Sequence, residues 1–127
     1  MKTSTDQRFR KREGLKLRKD FARVYNVRMR VADEGLVVYA NRNGLTWSRL
    51  GLSVGKRVSR LAVQRNYVRR RIREAFRRQK DILPLGFDII CVAKPKARDR
   101  AWDVAPSVTK LIIAACRRAD RKATAGD

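Results

Sequence analysis

The alternation of apolar and polar positions divides the chain into a helix, two or three strands, a second helix, a strand and a third helix. Leu17, Phe21, Val24 and Tyr25 recur at helical spacing and so share one side of a helix over 17–25. Asp20 suits the positive end of that helix's dipole. Leu36-Val37-Val38-Tyr39-Ala40 is short and rich in β-formers, and Asn41-Arg42-Asn43-Gly44 supplies turn chemistry behind it. Over 48–54 apolar residues alternate with polar or small ones, the period of a half-buried strand with one open face. A short strand over 27–31 precedes these two. Later in the chain, Pro84 and Gly86 mark a break, Phe87 to Ala93 reads as a buried strand, and 94–101 is a basic loop. Val104, Val108, Leu111 and Ala115, with Ile112 beside them, predict a last helix over 103–118 that tolerates Pro106 only in its first turn.

The remaining helix is the unusual one. From Lys56 to Arg78, ten of 23 residues are basic and only Glu74 opposes them. No Gly or Pro interrupts the stretch after Ser59, which is placed to serve as the N-cap. A turn of about 100° per residue gathers Leu61, Val68, Ile72, Ala75 and Phe76 into an apolar stripe. Asn66, Arg70, Arg73 and Arg77 fall on a different face, with Arg69 beside them. A charge run is ordinarily a solvated face. Here, however, like charges recur at i,i+3 and i,i+4, each pair repelling by a few tenths of a kcal/mol, without interleaved Glu. A polyanion that neutralises the face accounts for this better.

Composition sharpens that reading. A chain of 127 residues with 43% hydrophobic content forms one folded domain of ordinary core size, over 15–118. Residues 1–14 read as a flexible basic arm and 119–127 as a frayed polar tail. The net charge of +21 predicts a polyanionic partner and binding that weakens steeply with salt. The apolar runs are far shorter than the roughly 20 residues of a membrane span, and no apolar segment follows the basic N-terminus as in a secretory signal. The expected location is therefore cytoplasmic, with no membrane partner. Cys91 and Cys116 lie far apart in apolar runs and read as reduced, buried side chains.

Catalytic chemistry is sparse. The chain has no His, its carboxylates are scattered, and it carries neither a Gly-rich phosphate loop nor a Ser nucleophile elbow. A self-sufficient nuclease would need clustered carboxylates to hold metal ions. Binding, not bond breaking, is the expected contribution of this chain. A DNA-binding role lacks a dimerisation element to set half-site spacing.

Taken in order, these pieces resemble the protein subunits of bacterial ribonuclease P over Leu15 to Arg118. The resemblance rests on Lys56-Arg57, Ala62, Arg65-Asn66, Arg69-Arg70, Arg73-Glu74 and Arg77, whose spacing matches that family's Arg-Asn-Arg signature nearly throughout. Lys19-Asp20-Phe21 with Tyr25, Tyr39 at the strand end, and Arg49 to Val54 add weaker matches. Gly55, Arg69 and Tyr25 stand where the family often has Ser or Ala, Lys, and Phe. A ribosomal or RNA-chaperone protein would share the charge and the fold class, but not this ordered spacing.

The resemblance implies an α+β sandwich of order α-β-β-β-α-β-α, with a small mixed sheet and a left-handed β-α-β crossover at the basic helix. It also implies a ribonucleoprotein that removes the 5′ leader from precursor tRNA, with Mg²⁺-dependent hydrolysis performed by the RNA subunit, one protein per RNA. Arg65, Asn66, Arg69, Arg70, Arg73 and Arg77, with Lys56 and Arg57, would contact the RNA subunit. Phe21, Tyr25, Tyr39 and Ser53 would line the leader cleft. Pattern alone assigns Phe21 and Tyr25 to core packing; only the resemblance assigns them to a cleft where rings stack on unpaired bases.

Overall fold

The computed structural model describes residues 8–125. The elements are α1 (Arg18–Val27), β1 (Arg30–Ala32), β2 (Leu36–Arg42), β3 (Arg49–Ser53), α2 (Ala62–Arg78), β4 (Phe87–Ala93) and α3 (Val104–Ala125), with short 3₁₀ turns at Lys11–Glu13 and Pro95–Arg98. The strands form one mixed sheet in the order β1-β2-β4-β3. β2 runs antiparallel to both β1 and β4, whereas β3 lies parallel to β4. Parallel neighbours need a crossover, and α2 supplies it.

Strand alternation gives the sheet two unlike faces. Leu36, Val38 and Ala40 of β2, Leu50 of β3, and Phe87, Ile89 and Cys91 of β4 point into the main core. There they meet Val68, Ile72 and Phe76 of α2 and Val108, Ile112 and Ala115 of α3. Burial of aliphatic side chains of this size stabilises the fold by about 1.5–3 kcal/mol each. The opposite face carries α1 through a smaller cluster of Leu15, Val24 and Ile90, with Phe21, Tyr25, Tyr39 and Val92 packed at its margin. Burial pushes the thiols of Cys91 and Cys116 up to about 12, so both are inert, reduced core groups.

Several boundaries differ from the sequence reading. Ser59 is not the N-cap of α2. That position is Leu61, in extended conformation without a side-chain cap. Ser59 instead organises the preceding turn: its Oγ accepts the Leu61 N–H at 3.1 Å and donates to Gln64 Oε1. Leu61, placed in the apolar stripe by helical spacing, precedes the helix and is 58% exposed. The early strand is Arg30–Ala32, displaced from 27–31 because α1 continues to Val27 and Arg28 turns the chain.

At both ends of the described residues, contacts with the body extend beyond the expected domain bounds of 15–118. Residues 1–7 lie outside the described residues. From Phe9 on, the supposed arm packs on the body. Phe9 meets Phe76 edge to face, and Glu13 is buried against Lys80 at 2.9 Å. Leu15 N–H then bonds Leu50 O at 2.9 Å. At the other end, α3 runs past the expected bound at Arg118. Ala119 is buried in the core, Asp120 receives Arg42 through both carboxylate oxygens, at 2.9 and 3.0 Å, and α3 continues to Ala125.

Candidate nucleic-acid interface

Cross-strand register builds the open face of the sheet. Arg30, Tyr39, Ile90 and Gly51 form one row across the four strands; Ala32, Val37, Val92 and Ser53 form the next. Gly51 leaves a gap in its row, and the ring of Phe21 descends from α1 to fill it. One turn further along α1, Tyr25 lies beside Phe21 with 6.4 Å between ring centres and meets Tyr39 edge to face at 4.8 Å. All three rings are half-buried. Burial pushes the Tyr25 phenol up, and a hydrogen bond with Ser53 partly offsets that. The structure thus brings Phe21, Tyr25, Tyr39 and Ser53 into one aromatic cleft. Each ring packs on the small cluster, as the sequence pattern predicts, and keeps part of its surface exposed.

Cations stand at either end of the cleft. Arg28 and Arg30 line it beside Tyr25 and Tyr39. Among the described residues Arg28 is the one non-glycine with positive φ, at 61°, an αL conformation that costs on the order of 1–2 kcal/mol. It closes α1 by donating its N–H to Tyr25 O at 3.0 Å. At the other end Arg69 and Arg73 of α2, with Lys16, share a groove with Phe21, Leu50 and Leu52. The helix face and the cleft, expected as separate surfaces, therefore meet along this groove. Neither Arg28 nor Arg30 was singled out in the sequence, because only the β1–β2 register places them beside Tyr39.

The rest of the basic set is more dispersed. Lys56 and Arg57 are exposed in the turn before α2. Arg65 folds back, its Nη1 donating to Ser59 O at 3.0 Å and Arg60 O at 2.9 Å, so part of its hydrogen-bonding capacity is spent on the helix start. Asn66 accepts Arg69 Nη1 at 2.8 Å and orients that guanidinium. Arg73 lies over the ring of Phe9, 5.8 Å away. Arg70 points to the other flank of α2, toward Tyr67, Arg98 and Arg100. Arg77 pairs with Glu74, whose carboxyl is held down to about 2 by hydrogen bonds from Arg77 and then Arg78.

A buried ionic cluster holds α1 over the sheet. Asp88, 1% exposed, accepts Arg49 bidentately at 2.8 and 2.7 Å, Asn43 Nδ2 at 3.0 Å and Arg23 Nη2 at 3.1 Å. Burial opposes the charge on Asp88, but these donors outweigh it and lower its pKa. Arg23 and Arg49 also reach Asp20 at 3.3 and 3.7 Å. The residue before Phe21 is thereby tied to β3 and β4. Among the described residues no group of three Cys, Asp or Glu side chains is placed to hold a metal ion. Nor is any helix long and apolar enough to cross a membrane.

Fold and surface together define a small basic α/β protein with an aromatic cleft bordered by arginines. The chain matches the family model for ribonuclease P over residues 9–119, and it belongs to that family. It is 39% identical over 109 residues to the ribonuclease P protein component of Thermotoga maritima, covering 82% of this chain and 92% of the relative. With the corresponding protein of Clostridioides difficile the identity is 38% over 107 residues, covering 82% and 92%. The Staphylococcus aureus RNase P protein superposes with a TM-score of 0.67 at 32% identity, covering 83% of this chain and 93% of that one. The T. maritima RNase P protein gives 0.66 at 34%, covering 76% and 88%.

Proposed function

We propose that this protein binds the catalytic RNA of ribonuclease P through α2 and holds the 5′ leader of precursor tRNA in the aromatic cleft, supporting endonucleolytic removal of the leader. The observation that carries this reading is the half-buried row Phe21–Tyr25–Tyr39, flanked at both ends by arginines. Such rings stack on bases of any sequence, and the cations follow the backbone, which suits a single strand whose sequence varies. The exposed cations of α2 and of the turn before it, Lys56, Arg57, Arg70 and Arg73, suit the phosphates of structured RNA.

The chain contributes binding and orientation. On this reading hydrolysis and its Mg²⁺ belong to the RNA subunit. One protein per RNA and a cytoplasmic location complete the proposal. Reconstitution tests it: the protein is mixed with a bacterial ribonuclease P RNA, and 5′ cleavage of precursor tRNA is followed at low Mg²⁺. Enhanced cleavage over RNA alone is expected; equal cleavage with and without protein would refute the reading.

A further inference from the structure

A second cavity, of about 280 Å³, shares no lining residue with the cleft. It opens between α2 and the 94–101 loop and is lined by Val63, Gln64, Tyr67, Arg70, Arg98 and Arg100. No carboxylate lines it. The loop is held in place from α2: Arg71 donates to Ala97 O at 3.0 Å, to Asp99 O at 3.1 Å and to Trp102 O. Arg98 is fixed by donation to Val58 O at 3.2 Å. Arg71 and Arg100 both lie 5.5 Å from the ring centre of Tyr67. Val63, at the cavity mouth, is 69% exposed.

The loop brings two more guanidinium groups toward Arg70, while its one acid, Asp99, is engaged by Lys96 at 3.2 Å and the Ala101 N–H at 2.9 Å and does not line the cavity. The cavity therefore accumulates repulsion that an anion would relieve. Beside them a phenol ring and an exposed aliphatic side chain offer a surface for a flat apolar group. Phosphate and base are the two halves of one ligand. We infer that this cavity receives a single unpaired nucleotide of the RNA subunit, its base against Tyr67 and Val63 and its phosphate on Arg70, Arg98 and Arg100. Arg100 exchanges its contact with the Tyr67 ring for the phosphate when the base enters. The assignment rests on the proposed role of α2 in binding that RNA. The RNA subunit is chosen over the leader because the cavity is separate from the cleft.

The test uses the full-length protein and the RNA subunit, with binding measured over a range of salt. Tyr67→Leu is expected to weaken binding on the order of ten-fold, the loss of one stacked base, while Tyr67→Phe binds as the parent does. Arg100→Gln, at an exposed position, should lower the slope of log affinity against log salt by about 1. A benzophenone side chain introduced at Val63 should crosslink to an unpaired nucleotide of the RNA subunit in the holoenzyme. Discrimination between precursor and mature tRNA should not change in Arg100→Gln. Parent-like binding and salt slope for both Tyr67→Leu and Arg100→Gln would overturn the cavity assignment, as would crosslinking confined to the leader. Should Tyr67→Leu fail to fold, as judged by circular dichroism, Arg100→Gln and the crosslink decide alone. Failure of the parent protein to bind the RNA is a different result, since it removes the proposed function itself.

Discussion

Phe21 rests directly on Gly51: a methyl group at Gly51 would lie 2.6 Å from Cζ of the ring, well inside contact distance. The gap in β3 and the ring of α1 are thus two halves of one fitted pair. Gly51→Ala should push the Phe21 ring off the sheet, since the ring tip is easier to move than a strand paired to β4. The expected result is weaker binding of leader-bearing precursor tRNA, about ten-fold on the scale of one stacked base, with little change in binding of mature tRNA. Equal losses for both substrates would contradict the cleft assignment.

Arg70 and Phe21 are expected to fail in different assays. Arg70→Ala should weaken assembly with the RNA subunit and reduce the salt slope by about 1, as the loss of one phosphate contact does. Phe21→Ala should leave assembly intact and reduce affinity for precursor over mature tRNA. Filter binding with each RNA, at several salt concentrations, separates the two.

Asp88 supplies a pH-dependent part of the stability. Its folded-state pKa is lowered from 3.8 by Arg49, Asn43 and Arg23, against the cost of burial. A carboxylate lowered in this way stabilises the fold fully above its unfolded pKa, and that contribution disappears as pH falls through the lower folded value. Asp33 acts in the same direction: burial opposes its charge, but Ser107 and the N–H groups of Gly35 and Leu36 outweigh it. Asp88→Asn should cost about 3 kcal/mol near neutral pH, the lower end for breaking a buried pair, because Arg49 retains some solvent contact. Denaturant melts of parent and variant should converge as the pH is taken below 3.8. A difference independent of pH would rule out the ionic account.

Gly35 is closed to any side chain for a different reason. A Cβ there would lie 2.3 Å from Cζ2 of Trp102, whose indole is buried in the main core. Gly35→Ala should destabilise by roughly 1–3 kcal/mol through overpacking and should alter the near-ultraviolet circular dichroism of the tryptophans. An unchanged denaturation midpoint would show that Trp102 has another place to go.

What could be read from sequence was whatever local periodicity encodes. The Phe87–Ala93 strand is an unbroken apolar run apart from Asp88, and the buried side of α2 repeats at helical spacing through Val68, Ile72 and Phe76. Both were legible. Ser59 was misread because a cap is chosen by the path of the incoming chain, here bent so that Ser59 bonds Leu61 within the turn. The buried Asp88 was overlooked inside an apolar run, and its donors come from α1, the turn after β2, and β3. No spacing rule links such segments. The rings of the cleft were found by resemblance; the arginines at its ends needed the register. Helix α3 runs past its expected end because Ala119, Arg121, Lys122 and Ala123 are good helix formers and Asp120 finds Arg42 across the fold.

The parallel pair β3–β4 has one more consequence. Both ends of α2 run into neighbouring strands of a single sheet, and Gly51, beneath Phe21, lies on the first of them. Helix and cleft are therefore built on one sheet. On the proposed reading, one sheet carries both the anchor for the catalyst and the seat of the leader, so the protein would act as a gauge for where along the precursor the cut falls.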